Sequence, residues 1–129
     1  MASYATRLSA GLDLIAQEEV TIKAHSYGSV NVGKVELPTE VKGWIVTGLI
    51  LPKSGLSKKH NIVCRTGVGD ADYKNDYYCT LDNFGDEDYT FKVGDKVAQM
   101  VVLPCYQLPQ YEVKDKDREG GFGSTGKTE

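Results

Sequence analysis

The chain has 129 residues, enough for one domain with a modest core but not for two. Its 40% hydrophobic and 26% charged residues are ordinary for a globular protein, and a net charge of −3 offers no general attraction to nucleic acid or to an anionic membrane. No apolar run approaches the ~18 residues of a membrane span.

The first apolar stretch, residues 10–16, is interrupted by Asp13, which argues against a secretory leader and for a cytoplasmic location, or a nuclear one in a eukaryotic host. Leu8, Leu12 and Ile15 have helical spacing, but Gly11 falls among them and weakens a helix there. Val20, Ile22 and Ala24 then alternate with Thr21 and Lys23, and Val30, Val32, Val35 and Leu37 continue the rhythm with one slip near Gly33. Residues 44–51 form an apolar β-rich run in which Gly48 is a candidate bulge. Residues 77–81, 89–93 and 97–103 complete at least six predicted strands, with turn formers between them at 83–86 and 93–95. One brief helix is predicted around residues 56–60. Many short strands with regular turns point to an all-β sandwich, barrel or jelly roll. From Lys114 onward the chain holds one large apolar residue, Phe122, among charges and glycines. Such composition cannot bury enough surface to order itself, so residues 1–113 are expected to form the domain and 114–129 a flexible arm.

Cys64, Cys79 and Cys105 are an odd, widely spaced set without a CxxC pair, which points to free thiols in a reducing compartment rather than disulfides or zinc. Residues 121–128, GFGSTGKT, fit the phosphate-loop pattern, but that loop needs a strand before it and a helix after it, and only Glu129 follows here. Residues 70–81 begin like a calcium loop and fail at Lys74, Asn75 and Leu81. A solvated turn explains that acidic cluster, as does a carboxylate base beside a tyrosine. His25 and His60 have no partner arrangement for nucleophilic catalysis.

Five segments taken in order change this picture. They are AGLDLIA at 10–16, LPKSGLS at 51–57, GVGDADY at 67–73, GDKVAQM at 94–100 and REGGFGSTG at 118–126. Together they resemble the five motifs of the trimeric dUTP pyrophosphatase (dUTPase) family, and the shorter hairpin before Asp70 resembles viral or phage-type members. The resemblance implies a jelly-roll-like (β-clip) fold, a homotrimer with sites between subunits, and a C-terminal arm that covers a site. It implies hydrolysis of dUTP to dUMP and pyrophosphate, which limits uracil in DNA and supplies dUMP. Water would attack the α-phosphorus with Mg²⁺ as cofactor. In that reading Asp70 is the general base, a role typically worth about 10²–10⁴ in rate. Tyr73 packs beneath the deoxyribose, and backbone groups at Gly67 and Val68 read the uracil. Lys53, Ser54, Gly55 and Gln99 hold the leaving phosphates. Phe122 stacks on the base, Gly123 and Ser124 bring backbone amides to the phosphates, and Arg118 contacts the terminal phosphate. Asp13 stands behind the metal, linked through water. Two departures matter physically: Lys53 replaces an arginine and so lacks its bidentate fork, and Gly69 replaces an aliphatic residue before Asp70. The partners implied are dUTP and further copies of the chain, with no nucleic acid and no membrane. A dCTP deaminase of similar fold would need a glutamate in the 70–73 segment, where none stands. A weakly active dUTPase-like trimer, binding nucleotide or protein as a regulator, is the remaining alternative.

Overall fold

The computed structural model describes residues 1–114; Arg118, Phe122, Gly123 and Ser124, and with them the expected arm and the phosphate-loop look-alike, lie outside the described residues. In chain order the elements are β1 (Ser3–Tyr4), β2 (Gly11–Ile15), β3 (Val20–Ile22), β4 (Ser26–Gly33), β5 (Glu40–Val41), β6 (Trp44–Leu51), α1 (Ser54–His60), β7 (Ile62–Cys64), β8 (Gly67–Asp70), β9 (Tyr77–Asn83), β10 (Tyr89–Phe91) and β11 (Lys96–Cys105). A six-stranded sheet runs β1-β2-β11-β6-β5 with β8 also paired to β6, beside a three-stranded sheet β4-β9-β7 and the pair β10-β3. All of these pairings are antiparallel.

Alternation drives this arrangement. Along β4 Val30 and Val32 point inward while Tyr27 and Ser29 face out, and along β9 Tyr77, Cys79, Leu81 and Asn83 are inward. The inward residues of both larger sheets meet in one cluster built around Leu14, Ile22, Val30, Leu81, Phe91 and Met100. Asn83, a buried polar side chain in that setting, is satisfied by donating to the Ile22 and Glu87 carbonyls and accepting from Gly85 N–H. The three cysteines are free thiols, two of them buried.

Three sequence expectations change. The helical spacing of Leu8, Leu12 and Ile15 gives way to a strand, because residues 11–15 pair with β1 on one side and β11 on the other. Ladder hydrogen bonds on two edges outweigh a short amphipathic spacing already weakened by glycine. Gly48 is no bulge: its register against β11 and β8 is unbroken, and a Cβ there would meet Met100 Sδ at 2.5 Å, so the glycine makes room for a core side chain. The slip expected near Gly33 is present between Asn31 and Gly33, and a second irregularity lies in β11, between Lys96 and Ala98. Val35 and Leu37 lie past the end of β4 rather than in a strand, and Leu37 is nonetheless buried.

The single short helix starts two residues after Pro52 and buries Leu56. It ends at Asn61 in the left-handed conformation, whose N–H caps Leu56 O, and Lys58, Lys59 and His60 complement the negative end of its dipole.

Candidate active site

Strand pairing assembles half of the predicted site at one end of β6. Gln99 of β11 lies opposite Leu51 of β6 on one side and opposite Asp13 of β2 on the other. Residues directly opposite share a sheet face, so Asp13 and Gln99 lie together, on the face away from Leu14 and Met100. The Gln99 amide donates to Pro52 O at 2.9 Å, which ties β11 to the bend carrying Lys53 and Ser54. Gly11 is needed here for space: a Cβ on it would come within 2.0 Å of Gln99 Oε1. From that bend Lys53 turns inward, and its Nζ donates to Asp13 Oδ1 at 2.7 Å.

Asp13 is the most confined charge of the region, 1% exposed. Lys96 Nζ lies 3.3 Å from its second oxygen. Burial opposes ionisation of this carboxyl, but the two ammonium groups outweigh it and hold the group below the ordinary aspartate range. Its two oxygens face Lys53 and Lys96. Ser54 and Gly55 are exposed at the first turn of α1, where Lys53 occupies the N-cap in extended geometry and no side chain caps the turn. Backbone N–H groups of a first turn are without intrahelical acceptors and suit an anion.

The second half of the prediction lies along the other edge of β6, across that strand from β11. There β8 pairs with β6, Thr47 opposite Asp70 and Ile50 opposite Gly67. Thr47 Oγ1 donates to Gly69 O at 3.1 Å and pins this short strand. Asp70 is exposed at the strand's end and starts a tight turn closed by Tyr73 N–H donating to Asp70 O at 3.1 Å. That turn folds Tyr73 back into the protein, where its hydroxyl donates to Asp76 O at 2.8 Å and its ring packs 4.9 Å from that of Tyr77. Gly69 leaves no hole. A Cβ at that position would meet the Tyr77 hydroxyl oxygen at 2.8 Å and Gly48 O at 3.3 Å, so the aromatic ring takes the space that an aliphatic side chain would fill. Val68 stands 68% exposed at the hairpin, with its backbone at the sheet edge.

Within one chain Asp70 stands apart from the phosphate set. Thr47, opposite Asp70, and Leu51, opposite Gln99, are four residues apart on β6, or ~13 Å at a strand's rise per residue, and Lys53 lies further on. The clefts of about 700, 440 and 350 Å³ on this chain are lined by other residues. Lys53, Ser54, Gly55 and Gln99 are brought together, and Gly67, Val68, Asp70 and Tyr73 are brought together; Gly67, opposite Ile50, lies nearest the first set, and Asp70 is the member set apart from it. Among the described residues no group of three or more His, Cys, Asp or Glu could hold a metal ion. Sequence reasoning missed Lys96 and Gly11 as site residues. Both sit inside motif segments, so adjacency could have flagged them, but the contacts depend on register.

The dUTPase family model matches residues 1–126. The chain is 40% identical over 129 residues to the deoxyuridine 5'-triphosphate nucleotidohydrolase of Helicobacter pylori strain P12, covering 95% of this chain and 86% of that protein. It is 38% identical over 131 residues to the corresponding nucleotidohydrolase of Oryza sativa subsp. japonica, covering 96% of this chain and 72% of the rice protein. In structure it is similar to a mutant dUTPase from phage phi11 of S. aureus, described for its coordination of a structural Mg(II) ion, with a TM-score of 0.74, 22% identity and 90% of each chain covered. At that identity the likeness speaks to the fold, which is the all-β, jelly-roll-like one.

Proposed function

The chain belongs to the dUTPase family, and from this we propose that it hydrolyses dUTP to dUMP and pyrophosphate, with water attacking the α-phosphorus. The observation that carries the reading is the division of the motif residues into two assembled sets along opposite edges of β6. A phosphate subsite of one copy and a carboxylate hairpin of another make one complete site, which is what a homotrimer with shared sites requires. A groove of about 350 Å³ lined by Val41, Trp44, Val46, Val102 and Leu103 supports self-association, because Trp44 and Val41 are half exposed and apolar patches of this kind are normally covered.

Within such a site Asp70 is the general base. Its exposed carboxylate, held at a strand end by the Thr47–Gly69 bond and the Asp70–Tyr73 turn, takes the proton of the attacking water. Tyr73, backed by the buried ring of Tyr77, is the aromatic floor on which the deoxyribose rests. Gly67 and Val68 offer edge-strand backbone groups to the uracil. At the other end Lys53, Ser54, Gly55 and Gln99 receive the leaving pyrophosphate; the ammonium contributes charge, and the first-turn amides and the Gln99 amide contribute direction. Residues 114–129, with Arg118, Phe122, Gly123 and Ser124, complete the site in this proposal as a covering arm. With no protein cage of metal ligands among the described residues, Mg²⁺ fits as an ion carried chiefly by the triphosphate and water. When bound it offsets phosphate charge. The test is pyrophosphate release from dUTP with Mg²⁺, by wild type and by Asp70→Asn. Release abolished by that substitution supports the proposal; ammonia release from dCTP, or tight dUTP binding without turnover, would replace it.

A further inference from the structure

Resting on that reading of the site, the geometry points to Lys96 as a positioning residue, one that lets Lys53 leave its internal partner and take up a substrate phosphate. A buried carboxylate here carries two cations. Lys53 makes the short hydrogen bond to Asp13 Oδ1 at 2.7 Å, while Lys96 stands 3.3 Å from Oδ2, an atom that is buried and accepts no hydrogen bond among the described residues. A carboxylate buried without a partner is strongly unfavourable. Were Lys53 its sole partner, a triphosphate drawing that ammonium outward would strand the charge of Asp13. With Lys96 on the other oxygen the charge stays matched, and Lys96 can close from 3.3 Å to hydrogen-bonding distance as Lys53 departs. The exchange trades one ion pair for another and makes or breaks no covalent bond.

The placement of Lys96 is itself a product of an irregular strand. Ala98 opposes Leu14, Gln99 opposes Asp13 and Met100 opposes Leu12; continued without interruption, that register would set Val97 against Ile15 and turn Lys96 to the core side with Ala98. Instead Lys96 opposes Ile15, which shares a face with Asp13. The extra residue is absorbed as a bulge in which Val97 and Ala98 are both fully buried. A bulge commonly re-aims one side chain, and this one delivers an ammonium to the Asp13 and Gln99 face. Side-chain exposure fits the two roles: Lys53 is 28% exposed and committed to the carboxylate, and Lys96 is 55% exposed and loosely held.

The experiment uses the full chain with Mg²⁺ and compares wild type, Lys96→Met, Lys96→Arg, Lys53→Met and the Lys53→Met/Lys96→Met double variant. Affinity for a non-hydrolysable imido analogue of dUTP is measured by calorimetry, beside KM and kcat for dUTP. Lys96→Met is expected to weaken analogue binding and raise KM by roughly five- to tenfold, to leave kcat within about twofold, and to be rescued by Lys96→Arg. In the Lys53→Met background the same change adds nothing, because its action runs through Lys53. Since Lys96 is half exposed the variant should fold; if its melting temperature collapses, Lys96→Gln gives the same comparison. Unchanged affinity in the folded variant overturns the inference. So does an equal loss in both backgrounds, which would place Lys96 on the phosphate itself. A wild-type chain that fails to hydrolyse dUTP sinks the underlying reading; turnover with an indifferent Lys96 sinks only this inference.

Discussion

The two edges of β6 solve different problems. At the Leu51 end charges are internal: Asp13 is buried, two lysines close on it, and Gln99 is locked to Pro52 O over a glycine. At the Thr47 position the backbone is fixed, and Asp70 sits exposed on a short strand with Tyr73 tucked behind it. A phosphate subsite gains from groups positioned before the anion arrives, because less ordering remains to be done on binding. A general base, the role proposed for Asp70, has to reach a water on a substrate that in the proposed trimer another copy holds. The contrast teaches that preorganisation in this chain is local to each half, and the proposed mechanism adds that the halves of different copies come together for catalysis.

The strongest way to break this contrast is Asp70→Asn. Turnover of dUTP should fall by about 10²–10⁴, while calorimetric affinity for the imido analogue stays near wild type; a parallel loss of binding would mean that the carboxylate end is not separable from the phosphate end. Next in size is a mixing experiment. Asp70→Asn chains and Lys53→Glu chains, each expected to be nearly inactive, should regain activity well above their sum when unfolded and refolded together. No gain on mixing would place both sets in one chain. Gly11→Ala probes the Leu51 end alone: the new methyl displaces Gln99 Oε1, and analogue affinity should drop by about tenfold with little change in urea stability. The smallest effect is on acid stability. A carboxyl that folding holds below its usual 3.8 binds fewer protons folded than unfolded, so Asp13 stabilises the protein above about pH 4 and this contribution is lost as pH falls through its lowered folded value. Asp13→Asn should flatten the stability curve below pH 4 relative to wild type. If the two curves stay parallel, the ion pair contributes nothing.

Most of the strands could be read from the sequence because alternation is a local property: Val30 and Val32, or Tyr77, Cys79 and Leu81, declare their inward face within a few residues. A short helix was expected around residues 56–60, and the structure begins it two residues earlier, as Ser54–His60. The order of five motifs was also written in the sequence, and it sufficed for the family. What only the tertiary structure decided was which motif residues meet. Residues 8–15 carried a helical spacing that lost to ladder bonds from β1 and β11, strands that local periodicity does not see. Gly48 was expected as a bulge and Gly69 stands where the family carries an aliphatic residue, and each makes room for a side chain, Met100 or Tyr77, from elsewhere in the chain. The Lys53–Asp13 pair spans 40 residues and the Lys96 contact hangs on a single-residue shift in register. Periodicity is set by neighbours along the chain, whereas register, burial and charge pairing are set by strands distant in sequence, and it is these that divide the site into two halves.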